Sequence, residues 1–159
     1  MSVALTETRD VSSVVVEAIA HHGDTAEALV PILSEVNEKL GYLPVDALTQ
    51  ISKSLRLPSS QLISTASFYR LLSMKPRGKH VIRFCESAPC HIAGGRQIWR
   101  ALQEELGVDS GETSQDGKWT LLTTSCPGIC GVGPVIMIDD DVYGNVAPER
   151  VPEILALYE

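Results

Sequence analysis

The sequence predicts an α+β (α/β) protein in which a small helical bundle precedes a domain that mixes strands and helices. Two observations support this class. Residues 11–73 show helical periodicity with short connections, and residues 80–159 change to the order β-α-β-β-α. Residues 1–10 are polar and are expected to form a flexible N-terminus. The 159 residues fit one medium domain or two small ones.

The helical module over residues 11–73 begins with a predicted helix from Ser12 to His22. A second helix is predicted to start at Asp24, with Glu27 in the capping-box position, and to end at Gly41. Pro31 lies within this pattern. It either kinks the helix or marks the place near which the regular helix starts.

Two more helices complete the predicted module. The third opens at Pro44 and carries an apolar stripe formed by Leu48, Ile51 and Leu55. The fourth is expected to be capped by Ser59 or Ser60 and to run to about Leu72.

The second domain follows a basic turn at residues 75–79. Its predicted elements are a strand at 80–84, a helix at 96–106, a strand at 119–124, short strands at 135–138 and 142–143, and a last helix at 148–158. This order is what a thioredoxin-like fold gives in its minimal form. Both cysteine-bearing loops follow strands, so both are expected at one end of the sheet.

All four cysteines fall in these two loops, with spacing C-x4-C and C-x3-C. Two local pairs of thiolates suit a tetrahedral metal site or an iron–sulfur cluster. We interpret Cys85, Cys90, Cys126 and Cys130 as ligands of one [2Fe-2S] cluster. Each loop would supply one iron, and exchanged pairs remain the alternative. Gly128, Gly131 and Gly133 would let the backbone pass close to the cluster.

Other site types fit the sequence less well. Structural zinc usually uses C-x2-C, and so does a thioredoxin-type dithiol, but neither loop has this spacing. A zinc-stabilised interaction module is kept as the alternative function. His91 could replace a thiolate in principle, but four cysteines already complete the site. Gly131 and Gly133 do not form a dinucleotide fingerprint, and we predict neither nucleotide binding nor catalytic residues in this chain.

Charge and hydropathy restrict the partners. The net charge of −7 argues against nucleic acid and against an anionic membrane as the main partner. No apolar run approaches the roughly 20 residues that a membrane helix needs. The first ten residues lack the features of a signal peptide, so a cytoplasmic protein is expected.

Several segments together are recognisable: residues 33–44, residues 66–69, the basic turn at 75–79, both cysteine loops, and Gly133 with Pro134. With them the chain resembles the thioredoxin-like [2Fe-2S] ferredoxin family. This family is typified by the NuoE-like subunit of NADH:quinone oxidoreductase, and the same subunit type occurs in NAD(P)-linked hydrogenases and formate dehydrogenases. The chain departs from the family at Ser67, where threonine is common, and at Pro127, where leucine is frequent.

The resemblance implies an electron-transfer subunit that is not catalytic alone and holds one [2Fe-2S] cluster on Cys85, Cys90, Cys126 and Cys130. It implies a larger, NuoF-like flavoprotein partner that binds FMN and NAD(P)H, so that neither is bound by this chain. Further iron–sulfur or catalytic subunits would complete the assembly. Direct membrane insertion is not expected, although the complex itself could be peripheral to a membrane.

Overall fold

The computed structural model describes residues 10–158, which fall into two compact units. We call the part that runs to Arg77 the helical unit and the part that begins at Gly78 the sheet unit. The predicted flexible N-terminus lies outside the described residues except for Asp10, whose side chain accepts a hydrogen bond from the Ser12 amide at 3.3 Å. Across the described residues, none of the helices is long and apolar enough to cross a membrane.

The helical unit packs four helices around an apolar core. They are α1 (Val11–His22), α2 (Leu29–Leu40), α3 (Val45–Leu55) and α4 (Ser59–Phe68). The largest fully buried side chains of this core are Ile32, Leu33, Leu43, Ile51 and Leu62. The buried residues of α2, which are Leu29, Ile32, Leu33 and Val36, recur at helical spacing, so this helix buries one apolar face.

The start of the second helix differs from the prediction. Residues Ala26–Ala28 form a separate 3-10 turn, and α2 begins at Leu29, so the predicted cap at Asp24 is wrong. Pro31 lies in the first turn of α2, where its missing N–H removes no helical hydrogen bond. Of the two interpretations of Pro31, the one in which the regular helix starts near it is confirmed.

The predicted bounds of the fourth helix were wrong at both ends. Pro58 occupies the N-cap position, and neither Ser59 nor Ser60 caps the helix. The helix ends at Phe68 rather than at Leu72, because Tyr69 adopts an extended conformation (φ −87°, ψ 111°). In the turn that follows, the guanidinium of Arg77 donates to the carbonyls of residues 70–72. These contacts replace the hydrogen bonds that another helical turn would make.

The sheet unit holds a four-stranded sheet in the order β2-β1-β3-β4. Its strands are β1 (His80–Cys85), β2 (Trp119–Thr124), β3 (Ile136–Ile138) and β4 (Asp141–Tyr143). β1 and β2 are parallel, whereas β3 is antiparallel to both β1 and β4. The predicted α+β class and thioredoxin-like fold are confirmed.

Helices of the sheet unit are the short α5 (Ala88–Cys90), α6 (Arg96–Leu106) and α7 (Val151–Leu155). α6 matches its predicted bounds, but α5 and the π-helical turn His91–Gly95 were not predicted. The last helix was predicted to reach Tyr158 and instead stops at Leu155. The Tyr158 hydroxyl donates to a carboxylate oxygen of Asp141 at 2.7 Å, which turns the chain end back toward β4.

Candidate iron–sulfur centre

The two cysteine loops leave the same edge of the sheet. β1 and β2 are parallel and in register, with Cys85 opposite Thr124, and Cys126 follows two residues later. The Glu86 amide donates to the Thr124 carbonyl at 3.2 Å, so the pairing continues just beyond the strands. Carboxyl ends of neighbouring parallel strands point in one direction, which is why both loops start from one place. The predicted common position of the loops is confirmed.

The first loop buries its cysteines. Cys85 and Cys90 are each only 1% exposed. The Cys85 amide donates to the Val135 carbonyl at 3.3 Å, and Cys90 ends the short helix α5. Gly94 then takes a φ of +105°, a conformation that a side chain would strain, where the π-helical turn joins α6.

The second loop is exposed and built from short turns. The sulfur atoms of Cys126 and Cys130 lie 3.1 Å apart. Gly128 has a φ of +88°, and its amide donates to the Cys126 sulfur at 3.4 Å. The amide of Gly133 donates to the Cys130 carbonyl at 3.1 Å and closes the 3-10 turn over Cys130–Val132.

The loops approach each other at Gly133. A Cβ atom at this position would lie 3.4 Å from the Cys90 sulfur and 3.3 Å from the Cys130 carbonyl oxygen. The same test at Gly131 meets nothing within 4 Å. Of the glycines singled out in the sequence, Gly133 therefore provides the close approach between the loops, and Gly131 faces open space.

The four thiols are near enough to alter one another's acidity. The hydrogen bond from the Cys130 thiol, helped by the Gly128 amide, lowers the pKa of Cys126, and the Cys85 thiol adds to this effect. The same hydrogen bond raises the pKa of Cys130. Burial, followed by the neighbouring Cys85 thiol, raises the pKa of Cys90. Each loop therefore holds a thiol that resists losing its proton until a cation compensates the charge.

This donor set suits a two-iron cluster better than a single ion. Within residues 10–158, no three His, Cys, Asp or Glu side chains converge on one ion-sized point. A structural zinc needs four donors around one centre. A [2Fe-2S] cluster instead needs two thiolates on each of two irons, and thiols in two adjacent pairs meet that requirement.

His91 directly follows Cys90 in the sequence. Its side chain is exposed, and its Nε2 is 3.3 Å from a guanidinium nitrogen of Arg96. That nitrogen is a donor, so the His91 lone pair is engaged by Arg96.

The family model for the thioredoxin-like [2Fe-2S] ferredoxin matches residues 15–159. The chain belongs to this family. Its cofactor is accordingly one [2Fe-2S] cluster, as the sequence predicted.

Individual relatives of this family member are subunits of larger enzymes. A NADH-quinone oxidoreductase subunit from Escherichia coli K12 is 38% identical over 158 residues, covering 97% of this chain and 95% of that protein. NADP-reducing hydrogenase subunit HndA of Solidesulfovibrio fructosivorans is 34% identical over 130 residues, covering 82% of this chain and 76% of its own length. The chain is thus similar to a subunit of NADH:quinone oxidoreductase and to a hydrogenase subunit.

Among solved structures, an air-oxidized NAD+-reducing [NiFe]-hydrogenase has the same fold, with a TM-score of 0.66 and 22% identity. The match covers 78% of this chain and only 22% of the hydrogenase chain. The fold of this protein therefore also occurs as about a fifth of a longer polypeptide.

Proposed function

We propose that this protein is the electron-transfer subunit of an NAD(P)H-linked oxidoreductase, with the [2Fe-2S] cluster held by Cys85, Cys90, Cys126 and Cys130. Its partner would be a flavoprotein subunit that binds FMN and NAD(P)H. When bound, the cluster supplies a site that accepts and returns one electron at a time. The observation that carries this proposal is the position of all four thiols at the ends of two adjacent parallel strands.

Of the two possible ligand pairings, the one in which each loop supplies one iron is our proposal. The 3.1 Å between the sulfurs of Cys126 and Cys130 supports their sharing one iron. Cys85 and Cys90 would then share the other. The buried first loop keeps water from one side of the site, because both of its cysteines are 1% exposed. The exposed second loop leaves the other side open to a partner.

Backbone groups of the second loop would adjust the site electrostatically. The Gly128 amide already points at the Cys126 sulfur and would donate to the thiolate. Hydrogen bonds to ligand sulfur stabilise added negative charge, so they raise the reduction potential. Gly128 reaches this position through its positive φ, which explains why glycine suits it.

Chemical analysis tests the cofactor and its ligands together. Purified protein is expected to be red-brown, with about two irons and two acid-labile sulfides per chain. Cys126→Ala should remove most of both, because it takes away one of the four donors that the two irons need. Alanine is preferred to serine because a serine oxygen can itself bind iron.

His91→Ala is the matched control, since it changes a side chain next to a proposed ligand without removing a thiol. Its iron and sulfide contents should equal those of the wild type. Loss of the cluster in this variant would overturn the ligand assignment. A colourless wild-type protein with one zinc and no sulfide would support the zinc-stabilised interaction module instead.

A further inference from the structure

We propose that the turn after α4 is the surface by which the helical unit docks onto the flavoprotein subunit, with Phe68 and Leu71 as its anchoring side chains. We call residues 68–74 the docking turn. The proposal rests on the function proposed above, because that function supplies the partner. It adds which residues of this chain would hold that partner.

Large apolar side chains are unusually exposed at this place. Phe68 is 78% exposed and Leu71 is 72% exposed, and Tyr69 and Met74 are also exposed. Leu72, between them, is only 8% exposed and belongs to the core. Neighbouring exposed apolar side chains of this size typically mark an interaction surface, whereas single exposed ones do not.

The backbone beneath these side chains is held firmly. One guanidinium nitrogen of Arg77 donates to the carbonyls of residues 70, 71 and 72 at 3.2–3.3 Å. The Asn37 amide group donates to the Leu71 carbonyl at 3.4 Å and accepts from the Ser73 amide at 2.9 Å. The Ser73 carbonyl accepts from the Leu43 amide at 2.6 Å. A turn fixed in this way loses little conformational freedom when a partner covers it.

One of the two anchors, Phe68, borders a shallow surface groove. Phe68 and Tyr69 pack edge to face, with ring centroids 5.2 Å apart. Together with Glu27, Val30 and Thr65 they line this groove, which lies between residues 26–30 and α4. Aromatic anchors next to a groove are the composition typical of binding hot spots.

The charge pattern indicates the chemistry of the partner surface. Residues 68–77 contain Arg70, Lys75 and Arg77 and no acidic residue, although the chain as a whole carries a net charge of −7. The docking turn therefore fits an apolar depression bordered by carboxylates. The net negative charge disfavours an anionic lipid surface as the occupant. A subunit of the same complex is favoured, since the relatives are themselves subunits of larger enzymes.

The test uses the full chain, tagged and purified from its source cells as the intact complex. FMN and the flavoprotein subunit, identified by mass, are quantified per tagged chain. The double variant Phe68→Ala/Leu71→Ala should bind the flavoprotein at least about 30-fold more weakly, as loss of a hot spot does. Its visible spectrum and helix content should equal those of the wild type.

Val45→Ala is the matched control, because Val45 is 76% exposed on the same unit but lies at the start of α3. It should recover as much FMN as the wild type. Leu71→Glu provides a second test should the double variant fold poorly, since this exposed side chain can change without disturbing the core. It should also lower FMN recovery.

Four other outcomes would contradict the docking proposal, and each points to a different explanation. If the double variant and Leu71→Glu recovered as much FMN as Val45→Ala, the docking role of residues 68–74 would be refuted. The proposed function would not be affected. A wild-type chain that recovers no flavoprotein would refute both. With FMN recovery unchanged, variants that no longer bound vesicles containing anionic lipid would assign the surface to a membrane. Variants that no longer self-associated in sedimentation would assign it to a second copy of this chain.

Discussion

The helical unit and the sheet unit differ in what they present to the surroundings. The helical unit exposes Phe68 and Leu71 on a turn fixed by hydrogen bonds. The sheet unit exposes the thiols of Cys126 and Cys130 on a loop built from short turns. Apolar side chains are suited to binding protein and thiols to binding metal. If the two proposals above hold, the docking turn and the four proposed ligands lie in different units of the chain.

Ionisable groups show the same contrast. In the helical unit, Glu35 accepts from Lys39 at 2.7 Å and contacts His21 and His22 at 3.0 and 2.8 Å. Lys39 also binds Glu17 at 2.9 Å. These charges satisfy one another within the unit. The sheet unit has a similar contact between His80 and Asp139 at 2.7 Å, but its four thiols act on one another's pKa instead of pairing with charged side chains.

Separating the two units should produce the largest effect. Residues 78–159 expressed alone are expected to keep the visible absorption of the cluster, because all four cysteines lie there. They should lose most of their binding to the flavoprotein. The measurements are the absorption per chain and the FMN recovered with it.

The control for this experiment is the full chain treated in parallel. A fragment that bound the flavoprotein as well as the full chain does would contradict the docking role given to the helical unit. A fragment that was folded by circular dichroism but held no iron would contradict the assignment of the whole ligand set to the sheet unit.

A methyl group at Gly133 should weaken the centre without touching the helical unit. It would lie 3.4 Å from the Cys90 sulfur and 3.3 Å from the Cys130 carbonyl oxygen, so these neighbours would have to shift slightly to admit it. Overpacking of this kind costs roughly 1–3 kcal/mol. We expect Gly133→Ala to shorten the half-life of the visible absorption in air.

Gly131→Ala is the paired variant, since its added methyl meets nothing within 4 Å. Its absorption should decay at the wild-type rate. Equal decay in both variants would contradict the role given to the close approach at Gly133.

Removing the Glu35 charge should give the smallest effect, confined to the helical unit. The hydrogen bond from Lys39 lowers the pKa of Glu35 from its ordinary 4.5 to about 2. Since the folded value lies below the unfolded one, the stabilisation is complete above pH 4.5 and is lost as the pH falls toward 2. Glu35→Gln should thus cost about 1 kcal/mol near neutral pH.

Thermal unfolding as a function of pH measures this effect. The difference in unfolding temperature between Glu35→Gln and the wild type should become smaller below pH 4.5. Glu38→Gln, an exposed change on the same helix, should match the wild type throughout. A gap that stays constant down to pH 2 would mean that the ion pairs of Glu35 do not stabilise the unit.

Elements governed by local chemistry were predictable. The bounds of β2 and α6 follow from a run of β-formers and from an apolar stripe between glycines, and both are confirmed. The end of α4 was not predictable, because Tyr69 turns extended and the carbonyls that follow it bind the side chain of Arg77, nine residues beyond the helix end. Sequence periodicity carries no information about such a partner.

The candidate site shows the same limit. The spacing of the cysteines indicated which residues could bind metal and which strands would bring them together. It gave no sign that Cys85 and Cys90 are buried while Cys126 and Cys130 are exposed. That difference arises from tertiary packing, in which Val135 of the segment before β3 covers the first loop.

The parallel pairing of β1 with β2 sets an order of events during synthesis. The chain must complete its crossover through α6 before Thr124 can lie beside Cys85. A ribosome-bound chain that ends within α6 therefore displays half of the thiols and no second strand to arrange them. The proposed set of four cysteine ligands is therefore complete only after β2 and the second loop have been synthesised.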